Sequence, residues 1–361
     1  MRYIIFFIAL FLTLALSWAL TAFLHNSPSY LLIIPGLLLG ILVILGGCEF
    51  FANGVECAGK RLNLSHATVG SLFAAVGTAL PETMVPIIAL ITGGAKQGEH
   101  IAVGAIIGAP FMLSTLALFL LGTTVFSLYL FRKRDEPLLK VNLKALRFEL
   151  LYFIAVMLLV LFASLQDSTV FRHLTAVALL AIYIVFFYYS LKHESVAGEE
   201  YTDSLHLSIF TGCPVKLRWI ILQILVGLSF IVSGAHLFVG YLAAFSVKTG
   251  VSPIVLSLLI TPVATELPEK FNSITWTIKG KDTIGLGNIT GAMVFQSTIP
   301  MSIGFMFTEW QLKALEIYNI VSTILMAALI LGYIHLRKRL PGWLLLLGGL
   351  FYLFYILRVF L

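Results

Sequence analysis

Only 11% of the 361 residues are charged and 60% are apolar, with a mean hydropathy of +1.01; a soluble domain carries roughly a quarter charged residues. The apolar residues fall in blocks of twenty or more, long enough to cross a hydrocarbon core of about 30 Å, which excludes a large soluble helical core. The net charge of +6 comes without any basic stripe interleaved with aromatics, so no nucleic-acid partner is expected.

In lipid the backbone must satisfy its own hydrogen bonds, so each block reads as a helix. The first, 3–24, is long for a signal peptide and no small-x-small cleavage site follows it; a retained helix is expected. Five more follow at 30–52, 66–93, 100–129, 148–165 and 170–191. The longest loop, 192–216, holds Glu194, Glu199, Glu200 and Asp203. Beyond it come 217–246, 252–278, 284–308, 315–336 and 341–360. The fold expected is an all-α polytopic membrane protein of about eleven transmembrane helices.

With eleven spans, seventeen of the 23 Lys and Arg lie on one side, five on the other, and Lys270 lies inside a span. This bias places the N-terminus in the cytoplasm and the C-terminus outside, as in a cell (inner) membrane protein. Three cysteines, Cys48, Cys57 and Cys213, are too few and too scattered for a disulfide framework or a zinc site. His66, His100 and His236 show no metal-ligand spacing, and no cofactor is expected.

The two halves repeat one another. Gly77-Thr78-Ala79-Leu80-Pro81-Glu82 lies inside one span, and Ala264-Thr265-Glu266-Leu267-Pro268-Glu269 lies inside another, 187 positions later. Gly47 and Gly234, and Ser65 and Ser252, share that offset. Each Thr-x-x-Pro-Glu precedes a Gly-x-x-x-Gly, Gly104 to Gly108 and then Gly287 to Gly291. Five spans separate equivalent positions, so the repeats have opposite orientation, a recurrent transporter plan. The organisation expected is an additional helix in 1–29, a first repeat over 30–191, a cytoplasmic linker over 192–216 and a second repeat over 217–361.

Proline inside a helix removes a hydrogen bond and frees carbonyl oxygens, here around Gly77-Thr78 and Ala264-Thr265. Freed carbonyls, threonine hydroxyls and an adjacent carboxylate make a hard-oxygen site suited to Na⁺ or Ca²⁺. Facing halves would bring Glu82 and Glu269 together, where a bridging cation or a proton must offset their repulsion. Glu266 and Lys270, at i and i+4, read as a local ion pair; alternatively Lys270 is a tethered cation that modulates the site's charge. The Gly-x-x-x-Gly pairs pack helices, Gln296 offers an amide oxygen, and Glu49 and Glu56 are expected at the water interface.

This tandem motif resembles the hallmark of the cation/calcium exchanger superfamily, which includes the sodium/calcium exchangers. Leu45-Gly46-Gly47-Cys48-Glu49-Phe50-Phe51-Ala52-Asn53-Gly54 and Gly287-Asn288-Ile289-Thr290-Gly291 look familial as well. The resemblance covers roughly 30–360. It implies that Glu82 and Glu269 are the central Ca²⁺ ligands. It further implies that Thr78, Thr265 and Ser273 serve Na⁺ sites with backbone carbonyls, and that Gln296 holds the polar position on the following helix. The first repeat departs, with Leu113 at that polar position, Ala109 and Pro110 before it, and Ala79 and Pro86 in place of serines; Glu266 and Lys270 are the departures of the second. The function expected is a secondary active antiporter moving Ca²⁺ or a related cation against Na⁺ or H⁺ by alternating access, its partners being inorganic cations and membrane lipid. The alternative is a non-transporting membrane scaffold or cation sensor with the same fold. An intramembrane hydrolase lacks support, because His193-Glu194 leads into Ser195-Val196-Ala197-Gly198 and not into a second metal-binding histidine.

Overall fold

A computed structural model describes residues 30–61, 74–193 and 204–360. The expected helix at 3–24 lies outside them, as does His66. The described chain is helical almost throughout: α1 (Tyr30–Arg61), α2 (Ala74–Thr92), α3 (Ala95–Met112), a π-helical turn (Leu113–Ala117), α4 (Leu118–Leu130), α5 (Leu143–Ser164) and α6 (Thr169–His193) come first. A short α7 (His206–Thr211) leads into α8 (Leu217–Thr249), α9 (Pro253–Thr265), α10 (Leu267–Ile278), α11 (Asp282–Gln296), α12 (Ile299–Phe307), α13 (Ala314–Arg337) and α14 (Gly342–Phe360). Among the described residues, eight segments are long and apolar enough to cross a membrane, with two shorter apolar helices, Glu82–Thr92 and Pro253–Thr265. Leucines and phenylalanines on the outer faces of α5, α6 and α14 stay exposed, the condition of helices whose solvent is lipid.

Two of the expected single spans are each in two pieces. The span over 252–278 divides at Glu266 between α9 and α10, and Pro268 falls in the first turn of α10, where its missing N–H costs least. The span over 284–308 divides at Ser297–Thr298, between α11 and α12. In contrast, α2 runs without a break through Pro81 and Pro86, since one lost hydrogen bond bends a membrane helix without ending it.

The chain forms two compact units, each drawing on both halves of the sequence: Met1–Ala102 with Ile184–Pro253, and Val103–Tyr183 with Ile254–Leu361. In the first unit the long helices α1 and α8 pack antiparallel along glycines. A side chain at Gly47 would sit 2.9 Å from Gly227 O, one at Gly227 2.8 Å from Gly47 O, and one at Gly234 3.0 Å from Gly40 O. Gly36 faces Tyr241, and Gly54 faces Ile224 and Gln223. Adding 187 to one member of each contact gives its counterpart: 36 with 241 becomes 54 with 223, and 40 with 234 maps onto 47 with 227. The helix pair therefore carries a local two-fold relation between the repeats. At 32 and 33 residues these helices extend about 48–50 Å at ~1.5 Å per residue, longer than the bilayer core, which requires tilt or projection beyond it.

The segment read as a linker contains α7, which docks on this pair. Leu205 and Leu207 are buried with Cys57, Cys213 and Ile220. Asn53 Nδ2 donates to Ser204 O (3.1 Å), His206 N donates to Asn53 Oδ1 (2.9 Å), and Gln223 Nε2 donates to Asn53 Oδ1 (2.8 Å) while its Oε1 accepts from Leu207 N (2.7 Å). Glu49 is exposed, as expected at an interface, and lies 3.6 Å from His206 Nε2.

In the second unit a two-residue ladder joins Leu138–Leu139 to Leu340–Pro341. Beside it Arg134 forms an ion pair with the buried Asp282 at the start of α11, and Lys140 N donates to Asp282 Oδ2 (2.7 Å). At the far end of the unit Trp310 Nε1 donates to Ser164 Oγ (2.9 Å), tying the turn before α13 to α5.

Candidate functional site

A ladder of buried hydroxyls climbs the broken helix α9–α10. Ser257, Thr261 and Thr265 recur every four residues, hence on one face. Ser257 Oγ lies 3.0 Å from Thr261 Oγ1, and Thr265 Oγ1 donates to Thr261 O (3.0 Å). Directly above stand Glu266 and Lys270, only 1% and 2% exposed, one turn apart, with Lys270 N donating to Glu266 O (3.2 Å). Two more turns bring Ser273 and Thr277, both buried. Pro268 has no N–H to give to Ala264 O, so that carbonyl joins the available oxygens.

Close packing holds the ladder in place. A side chain at Gly104 would lie 2.9 Å from Ser257 Cβ, and one at Gly108 2.8 Å from Pro262 Cγ and 2.9 Å from Leu258 Cα. The first Gly-x-x-x-Gly thus lets α3 rest backbone to backbone on α9, as its packing role required. On the other side, Asn288 Nδ2 donates to Ser273 Oγ (2.9 Å), and a side chain at Gly285 would lie 2.7 Å from Ser273 O. Gln296 is buried at the end of α11, and its Oε1 meets no donor among the described residues.

Of the remaining expected site residues, Glu82 is 5% exposed on α2, within the first unit. Thr78 is in α2 and Glu269 in α10, but their side chains lie outside the described residues. Thr265, Glu266, Lys270 and Ser273 are all buried along the broken helix; Gln296 is in the same unit on the helix that packs against α10. His236 is half-buried, and no group of three His, Cys, Asp or Glu capable of holding a metal occurs among the described residues.

Two features escape a reading of the sequence alone. The first is a matched irregularity in the helix after each Pro-Glu motif. Ser114 and Thr115, in the π-helical turn, both donate to Phe111 O; Ser297 and Thr298, at the α11–α12 break, both donate to Val294 O (2.9 and 3.0 Å). All four are buried. They stand 183 positions apart, the offset of the Gly-x-x-x-Gly pairs, so Leu113-Ser114-Thr115 and Gln296-Ser297-Thr298 were the available signal. Hydroxyls that bond back to their own helix destabilise regular α geometry there, and such π turns cluster at functional sites. The second feature is Glu149, an acid inside the apolar run of α5 that accepts a hydrogen bond from Thr290 Oγ1 on α11. Its position in a membrane span was itself the clue.

The family model described as sodium/calcium exchanger protein matches residues 32–192 and 219–361. An uncharacterized membrane protein of Methanocaldococcus jannaschii is 23% identical over 323 residues, covering 89% of this chain and 95% of its own. CaxA of Alkalimonas amylolytica, provisionally named an antiporter, is 24% identical over 330 residues, covering 87% and 95%. Among solved structures, the H⁺/Ca²⁺ exchanger CAX superposes with a TM-score of 0.70 at 17% identity, covering 98% of this chain and 89% of that one. The sodium-calcium exchanger NCX_Mj gives 0.54 at 20%, covering 91% and 99%. The all-α membrane fold is thus common to these chains, and this protein belongs to the sodium/calcium exchanger protein family.

Proposed function

We propose that the chain is a secondary active antiporter that moves Ca²⁺ or a related cation against H⁺ or Na⁺ by alternating access. One observation carries the reading: Glu82 and Glu266, each inside an apolar membrane segment, are almost wholly buried, and Glu266 stands at the break of a helix lined with hydroxyls. A charged group at that depth costs about 2.5–3.5 kcal/mol even on lenient scales, and a bound cation or proton offsets it. In this reading Glu82 and Glu269 share the transported cation, while Thr78, Thr265, Ser273, Gln296, Glu266 and freed backbone carbonyls supply further oxygens. Lys270 holds a positive charge beside the pocket, standing in for one bound ion. Leu113 in place of a second amide leaves fewer oxygens than several Na⁺ ions need, which favours H⁺ as the counter-ion; a proton requires no coordination shell. The basic side faces the cytoplasm, with the C-terminus outside.

Proteoliposomes test this directly. Radioactive Ca²⁺ uptake is expected to follow an imposed pH gradient without Na⁺, and Glu82→Gln or Glu269→Gln is expected to abolish it. Uptake unchanged in both variants defeats the assignment, and uptake driven only by a Na⁺ gradient moves the coupling to Na⁺.

A further inference from the structure

At one end of the second unit, basic segments far apart in the sequence meet around the two-residue ladder. Leu139 pairs with Leu340, so the next position in register sets Lys140 opposite Arg339, both exposed. Like charges directly across a strand pair repel. The ion pair of Arg134 with Asp282, and the bond from Thr283 Oγ1 to Lys140 O (3.3 Å), bring Lys281 to the same place. Arg134 is taken up by Asp282, but Arg132, Lys133, Lys281 and Lys338 are exposed and form no ion pair among the described residues. Phe131 and Leu336, which directly precede Arg132 and Arg337, are 76% and 79% exposed, and Trp343 in the first turn of α14 is exposed as well. The chain thus passes from lipid-facing apolar side chains to cations within one residue, the depth of phospholipid headgroups.

The backbone marks two of these cations. Arg132 and Lys338 follow the ends of α4 and α13 with φ of 56° and 51°, in the left-handed region that costs an L side chain energy and that glycine adopts freely. Four other positions of this kind are filled by Gly94, Gly212, Gly250 and Gly280. Trp310 also lies in that region, but it is buried and anchored to Ser164; Arg132 and Lys338 bring no such packing. A cation's attraction to a helix C-terminus is available to Arg337 and Lys133 without a positive φ. Strained residues that the packing does not require point to function. Topology alone accounts for a diffuse excess of cations on one side, but not for like charges in register or for basic residues at two glycine positions.

We propose that this end of the second unit, centred on Arg132 and Lys338, binds the headgroup of an anionic phospholipid. The phosphodiester lies among the cations and relieves their repulsion, while the acyl chains run along Phe131, Leu336 and Trp343. The site is independent of the pocket assigned to Glu82 and Glu269. The test uses the full-length chain in phosphatidylcholine vesicles, with quenching of Trp343 by brominated lipid read as the difference from the Trp343→Phe chain. Brominated phosphatidylglycerol is expected to be enriched at least about fivefold over brominated phosphatidylcholine, the worth of one Lys or Arg at an anionic surface. Arg132→Gly with Lys338→Gly should abolish the enrichment and leave the melting temperature unchanged or higher, because glycine relieves the backbone. Lys216→Gln with Arg218→Gln, which removes the same charge at the start of α8, should leave the enrichment intact. Equal quenching by the two lipids overturns the site, and so does enrichment that survives the paired glycine substitutions or is lost equally in the Lys216→Gln, Arg218→Gln chain. A lower melting temperature with the glycines reduces Arg132 and Lys338 to helix caps, and displacement of the lipid by inorganic phosphate assigns the cations to a free anion; either result overturns the proposal.

Discussion

Replacing Gly108 with alanine tests whether the contact between α3 and α9 is as close as the coordinates place it. The new methyl would meet Leu258 O and lie 2.8 Å from Pro262 Cγ and 2.9 Å from Leu258 Cα, where carbon atoms normally keep about 3.5–4.0 Å. The obstacle is mostly backbone, which cannot rotate aside, so the two helices must part by roughly 1 Å. Overpacking of this kind costs about 1–3 kcal/mol; the better helix propensity of alanine returns at most ~1 kcal/mol. A net loss of up to about 2 kcal/mol follows once that return is subtracted in full. Gly332 on α13 is the control, since a side chain there meets no described atom within 4 Å, and Gly332→Ala should be neutral or stabilising by up to ~1 kcal/mol. Unfolding of the two variants in mixed micelles by added dodecyl sulfate measures the difference. Equal stability of Gly108→Ala and Gly332→Ala would refute the close approach, and with it the account of how the hydroxyl ladder is held.

Asp282→Ala leaves Arg134 half-enclosed without its partner and also removes the acceptor for Lys140 N; a loss of about 3–5 kcal/mol is expected, visible as a lower melting temperature in detergent. Gln223→Ala removes the amide that joins Asn53, Phe50 O and Leu207 N. It should cost about 1–3 kcal/mol and raise proteolytic cleavage between residues 204 and 216. Thr290→Val and Glu149→Gln probe one hydrogen bond, so a double-mutant cycle on unfolding should return a coupling of about 0.5–3 kcal/mol; a value near zero removes Glu149 from the support of α11.

Ten of the eleven spans are matched by helices in the structure, because twenty apolar residues in a row leave the backbone no other solution in lipid. The tandem Pro-Glu motif was legible for the same kind of reason: acid and proline are each costly inside an apolar helix, so their repetition stands out. The interruptions were harder to see. A hydropathy window averages over about nineteen residues and cannot register Ser297-Thr298, two small hydroxyls that end α11 by bonding to Val294 O. The same averaging hid the π turn at Leu113–Ala117, where the apolar Leu113 drew attention away from the serine and threonine beside it. Residues 204–216 read as connecting chain because the loop that holds them, 192–216, opens on four acids, Glu194, Glu199, Glu200 and Asp203; the docking rests on Leu205, Leu207 and Cys213 and on hydrogen bonds to Asn53 and Gln223.

The glycine contacts between α1 and α8 have an implication for ancestry. Each helix offers the other a patch that is the image of the one it receives, which makes the junction isologous, as at the axis of a symmetric dimer. A half-length forebear inserted into the bilayer in both directions would have possessed this same junction between separate polypeptides. Fusion of the two copies then required only a tether, and any substitution on one side of the axis has since been free to diverge from its twin, as Gln223 and Gly36 already have.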